Sequence, residues 1–190
     1  MKNYNLAYNT IGSNDYKVME RFLKKRKYLN QSVYTKNFEN KFSKFLGTRN
    51  SVFVNSGSSA NLLMAQVLLE GNFLKNKTVV LPAVSWSTSV SPFIQLGYKV
   101  ILCDCDKYNL GLCTYDLEKI CKKFNPGLVL IVNVLGHANN YKKIEYLKKK
   151  YKIELIEDNC ESLGSGIGKK KLGTLGLAYS HSFYYGHDMS

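Results

Sequence analysis

Acidic residues are scarce in this chain: 14 Asp and Glu stand against 27 Lys and Arg, a formal net charge of +13. No zinc-finger, RNP or helix-turn-helix pattern accompanies the excess, so charge alone does not make the chain a nucleic-acid binder. Two of the basic clusters, Lys24-Lys25-Arg26-Lys27 and the run from Lys142 to Lys152, are interleaved with apolar residues at helical spacing: Phe22, Leu23 and Tyr28 in one, Ile144, Leu147 and Tyr151 in the other. They read as the solvated faces of amphipathic helices. The third, Lys169-Lys170-Lys171, lies between Gly168 and Gly173 and reads as a turn. Such a positive field equally suits an anionic, nucleotide-linked substrate. Other absences narrow the field further. The five cysteines (Cys103, Cys105, Cys113, Cys121, Cys160) contain no C-x-x-C pair and are odd in number. That predicts reduced, buried thiols with neither a disulfide framework nor a metal site. No apolar run of signal-peptide length opens Met1-Lys2-Asn3-Tyr4-Asn5-Leu6, and no stretch is long enough to span a membrane. The expected location is the cytoplasm, with neither membrane nor nucleic acid as a partner.

What is present is the material of a core. Hydrophobic residues make up 45% of the 190 and aromatics 13%, enough for one folded domain. Repeats, low-complexity tracts and linkers are missing. Helices are expected over residues 14–28 and 35–46, the second stopped by Gly47, and an alternation follows. Strands are expected over 51–54, 78–81 (ended by Pro82), 99–104, 127–134, 153–156 and 178–184. Between them lie expected helices over 60–70, 87–96, 117–124 (entered through Thr114 or Asp116) and 141–151. Strands and helices alternating at this spacing predict an α/β fold, a largely parallel sheet covered on both faces.

In such sheets ligands collect at the carboxyl ends of strands. The polar and aromatic residues fall there: Asn55 to Ser59, Pro82 to Trp86, Asn133, Asp158 to Glu161, and Ser182 with His187. Gly57-Ser58-Ser59 opening a helix is either a plain cap or an anion cradle of outward amides and hydroxyls. Trp86, the single tryptophan, is either a core residue or a platform for a flat ring. Asp158 is either a turn aspartate or the acidic partner of a protonated ring nitrogen. His187 taken alone reads as structural, but in this company it is a candidate to move protons.

Five segments in register carry a resemblance. They are Asn55-Ser56-Gly57-Ser58-Ser59-Ala60-Asn61-Leu62-Leu63-Met64, Pro82-Ala83-Val84-Ser85-Trp86-Ser87-Thr88, the stretch from Val132 through Gly136 to Asn140, Glu157-Asp158-Asn159-Cys160-Glu161-Ser162, and Ser182-Phe183 through His187. Together with Phe38-Glu39 before Gly47, they resemble the DegT/DnrJ/EryC1/StrS sugar-nucleotide aminotransferase family. That resemblance implies the aspartate-aminotransferase-like fold (pyridoxal-phosphate fold type I). Residues 1–190 would be the N-terminal part of its large domain, with the C-terminal small domain absent and the chain apparently truncated. In most of the family a lysine that anchors the cofactor covalently stands where His187 stands here, and no lysine follows Lys171. The histidine resembles the lysine-lacking branch, the 4-keto-6-deoxy-sugar-nucleotide 3-dehydratases.

By that resemblance Gly57, Ser58, Ser59 and Ser182 would bind the phosphate of pyridoxal 5'-phosphate or pyridoxamine 5'-phosphate. Trp86 would stack on the ring, Asp158 would pair with its nitrogen, and Glu161 would lie near its hydroxyl. His187 would be the catalytic acid/base in removing the C3 hydroxyl of a 4-keto-6-deoxy nucleotide sugar. Glutamate would be the amino donor, and the full-length protein a homodimer. Two other readings stay open: an ordinary sugar-nucleotide aminotransferase of the same family, and a non-catalytic, truncated remnant that keeps the fold.

Overall fold

A computed structural model of the chain describes residues 10–25, 28–184 and 187. Arg26 and Lys27 of the first basic cluster, and Tyr185 and Gly186 of the last motif, lie outside the described residues. The chain divides into two compact units, Met1–Phe53 with Phe183–Ser190, and Val54–Ser182.

The first unit holds α1 (Ser13–Lys24) and α2 (Val33–Leu46). Gly47 stops α2 as expected: it takes the left-handed conformation at φ 83°, and its amide returns to the Ser43 carbonyl at 2.8 Å. Aromatic rings gather on α2. Phe38 meets Phe53 and Phe183 edge-on, with centroids 5.3 and 5.2 Å away, and Phe42 meets Phe183 at 5.3 Å. The strand expected over 51–54 does not form. Val52 is 70% exposed, and the Phe53 amide donates to Glu39 Oε1 at 2.9 Å where a strand would have used a ladder. An apolar quartet has the same sequence pattern whether a sheet or a side-chain cluster receives it.

The second unit is built on a five-stranded sheet. Its strands are β1 (Thr78–Pro82), β2 (Lys99–Cys103), β3 (Leu128–Val132), β4 (Glu154–Asp158) and, after a small antiparallel pair β5 (Gly166–Ile167) and β6 (Lys170–Lys171), β7 (Ala178–Ser180). The order across the sheet is β2-β1-β3-β4-β7, with all four pairings parallel. Of the third basic cluster only Lys169 lies in the turn of the β5–β6 hairpin, beside Gly168 at φ 59°, whereas Lys170 and Lys171 are strand β6 itself, paired with Ile167 and Gly166. Strands buried on both faces are continuously apolar, and alternate residues serve opposite faces. Val80, Val129, Ile131 and Leu155 pack with α5 (Thr114–Phe124) and α6 (Tyr141–Tyr151). Val79, Leu81, Leu128, Leu130 and Ile156 pack with α3 (Gly57–Glu70) and α4 (Ser91–Gln95).

Several boundaries differ from expectation. The helix expected over 87–96 is a short 3-10 turn, Ser87–Ser89, followed by α4, because Pro92 has no amide to continue a longer helix and sits in its first turn. The last strand ends at Ser180, whose carbonyl accepts the Asn159 amide at 2.9 Å, and residues 181–184 leave the sheet. β4 runs two residues further than expected, so Asp158 is its final residue. All five cysteines are free as expected, but only Cys103 and Cys121 are buried; Cys105, Cys113 and Cys160 are half-buried. Burial pushes the Cys121 thiol up to about 11. Among the described residues no helix is long and apolar enough to cross a membrane.

Candidate functional site

The sheet order fixes where a ligand can sit. From β1 the chain moves outward to β2, then crosses back to place β3 on the other side of β1. The connections leaving the carboxyl ends of β1 and β3 therefore run to opposite faces of the sheet, through α4 and α6, and this switch point is where open α/β sheets bind ligands. The segments carrying Trp86 and Asn133 leave those two strand ends, and Asp158 ends the neighbouring β4.

Asp158 is 3% exposed and held by three donors. Its Oδ2 accepts from Asn61 Nδ2 at 2.8 Å and from Ser89 Oγ at 2.7 Å, and its Oδ1 accepts the Cys160 amide at 3.1 Å. Asn61 in turn accepts the Ser180 hydroxyl at 2.7 Å. No Lys, Arg or His among the described residues forms an ion pair with the carboxylate. Its three donors are neutral, which suits the carboxylate to a cationic N–H partner. Beside it, burial and then the Asp158 charge push the Cys160 thiol up, leaving it a poor nucleophile.

The N-terminus of α3 forms the second part. Ser56 caps the helix, its Oγ accepting the Ser59 amide at 3.1 Å, so the Gly57 and Ser58 amides remain turned outward. Gly57 is required by close approach: a Cβ there would stand 2.6 Å from Cys160 Sγ and 3.1 Å from Ser182 Cβ. The helix start is thereby pressed against the turn after β4 and against Ser182, which is nearly buried. The Ser58 hydroxyl reaches Thr88 Oγ1 at 3.1 Å.

Trp86 is 73% exposed. The core reading of this residue fails. Glu161 accepts the Leu135 amide at 3.3 Å, an amide presented by a left-handed residue at φ 49°. His187 belongs to the first unit, where its amide donates to the Tyr184 carbonyl at 2.9 Å and the two rings meet edge-on at 5.3 Å.

Two residues with work in this region were not singled out in the sequence. Asn61 is one; its signal was a polar residue on the buried stripe Gly57, Asn61, Met64, Ala65, Leu68. Glu157 is the other. It is fully buried and accepts from Tyr141 Oη (2.5 Å) and the amides of Gly173, Leu175 and Gly176 (2.9, 2.8 and 2.7 Å). Asn133 joins this network, donating to Tyr141 Oη at 2.8 Å and to Asn159 Oδ1 at 2.6 Å. Burial and then the Glu157 carboxylate push the Tyr141 phenol well above its ordinary range, so it stays a donor.

A parallel sheet covered on both faces, with a buried acid and a helix N-terminus at its carboxyl edge, is a frame on which α/β proteins bind phosphate-bearing ligands. The chain belongs to the DegT/DnrJ/EryC1/StrS aminotransferase family, which it matches over residues 9–190. It is 35% identical over 195 residues to GDP-4-keto-6-deoxy-D-mannose 3-dehydratase of Escherichia coli O55:H7, covering 100% of this chain and 49% of that one. Among solved structures, a GDP-4-keto-6-deoxymannose 3-dehydratase variant with bound GDP-perosamine superposes with a TM-score of 0.86 at 33% identity, over 97% of this chain and 48% of that one. The same type of enzyme with a trapped PLP-glutamate geminal diamine gives a TM-score of 0.81 at 34% identity, over 96% and 48%. The chain spans about half the length of the curated relatives it matches.

Proposed function

We propose that the chain carries the cofactor pocket and catalytic histidine of a pyridoxal-phosphate/pyridoxamine-phosphate-dependent sugar-nucleotide 3-dehydratase. Its reaction is loss of the C3 hydroxyl from a 4-keto-6-deoxy nucleotide sugar, a step of deoxysugar and O-antigen polysaccharide biosynthesis. The reading rests on His187, which by the family resemblance would stand where most members carry their anchoring lysine, and on the lack of a lysine between Lys171 and Ser190. Likeness to a 3-dehydratase over the whole chain supports it.

The residues present fit the cofactor. Gly57 lies where a side chain would fill the helix start, the Gly57 and Ser58 amides point outward, and Trp86 offers an open flat face. Asp158 is a buried acid with neutral donors only. When bound, the cofactor supplies an electron sink for bond breaking beside the sugar ketone. The rest falls to this chain. Gly57, Ser58, Ser59 and Ser182 would hold the phosphate through amides and hydroxyls at and beside a helix N-terminus. Trp86 would cover the ring. Asp158 would keep the ring nitrogen protonated, because a carboxylate favours a cation beside it. Glu161 would serve the ring hydroxyl. His187 would move the proton, since an imidazole can serve first as base and then as acid. It cannot tether the cofactor as a lysine does.

In this reading the chain is the N-terminal part of the large domain of a cytoplasmic homodimer that takes its amino group from glutamate. Incubation of the protein with pyridoxal phosphate, glutamate and GDP-4-keto-6-deoxymannose, followed by mass analysis, tests it. A 3-deoxy product is expected. A 4-amino sugar that keeps its C3 hydroxyl would replace dehydration with amino transfer, and unchanged substrate would overturn both.

A further inference from the structure

We infer that Asn61 is a positioning residue for Asp158, part of a buried relay Ser180–Asn61–Asp158–Ser89 that fixes which carboxylate oxygen is left to a ligand. The inference rests on the reading above, in which Asp158 meets the ring nitrogen. Asn61 and Ser89 are each 1% exposed and Ser180 2%, so none of them can exchange its partner for water.

The chemistry of the donors leaves one arrangement. A carboxylate only accepts, so the side of Asn61 that faces Asp158 Oδ2 at 2.8 Å must be its NH2 group. Its oxygen then faces the Ser180 hydroxyl, which spends its single proton there at 2.7 Å. Ser180 thus sets the amide, and the amide sets the carboxylate. The same NH2 group also reaches the Thr88 carbonyl at 3.3 Å, tying it to the segment that carries Ser89. Ser89 spends its proton on Oδ2 as well, at 2.7 Å.

Oδ2 is therefore occupied by two side-chain donors, whereas Oδ1 accepts the Cys160 amide at 3.1 Å, with the Cys160 thiol beside the same carboxylate. Oδ1 retains acceptor capacity, and the plane of the carboxylate cannot turn without breaking two bonds. The relay also joins four elements: α3, the 3-10 turn after β1, the end of β4 and the end of β7. A cationic N–H arriving at this carboxylate meets an acceptor already aimed.

The test separates aim from mere support of the fold. Trp86 is the single tryptophan, so quenching of its fluorescence reports ligands at this strand edge. Dissociation constants are measured for pyridoxal phosphate and for its carbocyclic analogue, in which C–H replaces the ring nitrogen. The unmodified protein should prefer pyridoxal phosphate, because only that ligand can bond to Asp158. In Asn61→Leu the preference should fall by about tenfold or more, the scale of one hydrogen bond to a charged group, while affinity for the analogue stays constant. Ser180→Ala should lower the preference less, and combining it with Asn61→Leu should add nothing, because its effect passes through Asn61. If Asn61→Leu does not fold, Ser180→Ala and Ser89→Ala carry the same comparison. An undiminished preference in folded variants would overturn the relay and leave the function intact. A protein that never prefers pyridoxal phosphate would instead remove Asp158 from the ring nitrogen, and the relay's role with it.

Discussion

Glu157 and Asp158 are adjacent in β4, yet their carboxylates serve opposite faces of the sheet. Glu157 gathers Tyr141 and the amides of the 173–176 turn on the α6 side, and Asp158 meets Asn61 and Ser89 on the α3 side. Side chains alternate along a strand, so one dipeptide provides both an internal brace and a ligand-facing acid.

The brace is separable from the site. Tyr141→Phe removes one hydrogen bond to a buried carboxylate and should lower the unfolding free energy by about 2 kcal/mol. Urea denaturation measures it. Quenching of Trp86 by pyridoxal phosphate should be unaltered in the same variant. A stability change below about 0.5 kcal/mol would show that Glu157 is satisfied by its three backbone amides alone.

Asp158→Asn should abolish turnover while the fold persists, because an amide keeps the shape but cannot hold a ring nitrogen protonated. The measurements are single-turnover product formation and the far-ultraviolet circular dichroism spectrum. Near-normal product formation would remove Asp158 from the chemistry.

Gly57→Ala places a methyl group 2.6 Å from Cys160 Sγ. The helix start must shift, and pyridoxal phosphate should bind on the order of tenfold more weakly, whereas pyridoxal without its phosphate should be little affected. Adding Cys160→Ala removes the clashing sulfur and should recover part of the loss. Equal weakening of both ligands would mean that the helix start does not hold the phosphate.

His187→Lys tests the acid/base assignment. The 3-deoxy product should disappear, and borohydride treatment of the variant loaded with pyridoxal phosphate should fix a phosphopyridoxyl group at position 187. The unmodified protein should show no such adduct on Lys169, Lys170 or Lys171. Undiminished 3-deoxy product in the variant would assign the proton transfer to another residue.

Far from the site, Glu118 bonds to Lys143 at 2.9 Å and Lys150 at 3.0 Å, and those bonds lower its carboxyl from 4.5 to about 2. A carboxyl whose folded value lies below its unfolded one stabilises the fold above the unfolded value and loses that contribution as pH falls through the folded one. Between pH 4.5 and 2, Glu118→Gln should therefore flatten the acid limb of the stability profile. An unchanged limb would show that solvent screens these exposed pairs.

The alternation of strands and helices was legible because continuous apolar runs such as Leu128–Val132 leave few other structures open to them. Gly47 and Pro82 gave two element ends through backbone chemistry alone. The 51–54 segment was not legible, since Val52 and Phe53 look like strand residues until the aromatic cluster that receives the Phe53 ring is seen. Within the site, Asp158 could be found from its place at a strand mouth. Asn61 could not, because an asparagine in a first helical turn ordinarily faces water, and only its partner at position 180 shows why it is buried. The exposure of Trp86 was equally hidden: one tryptophan in a polar stretch fits either environment.

The bond between Asn61 and Ser180 joins residues 119 positions apart, and that between Asn61 and Asp158 spans 97. During synthesis α3 emerges early, yet it stays without the partners that orient its asparagine until β7 has docked on β4. Parallel pairings of this range form late, since each requires a long crossover to close first. A nascent chain lacking β7 therefore presents the helix start and the indole but an unaimed acid. Under the proposed function, capture of the cofactor in a productive pose would wait for β7 to dock, and the ligand would then act as a latch on that strand.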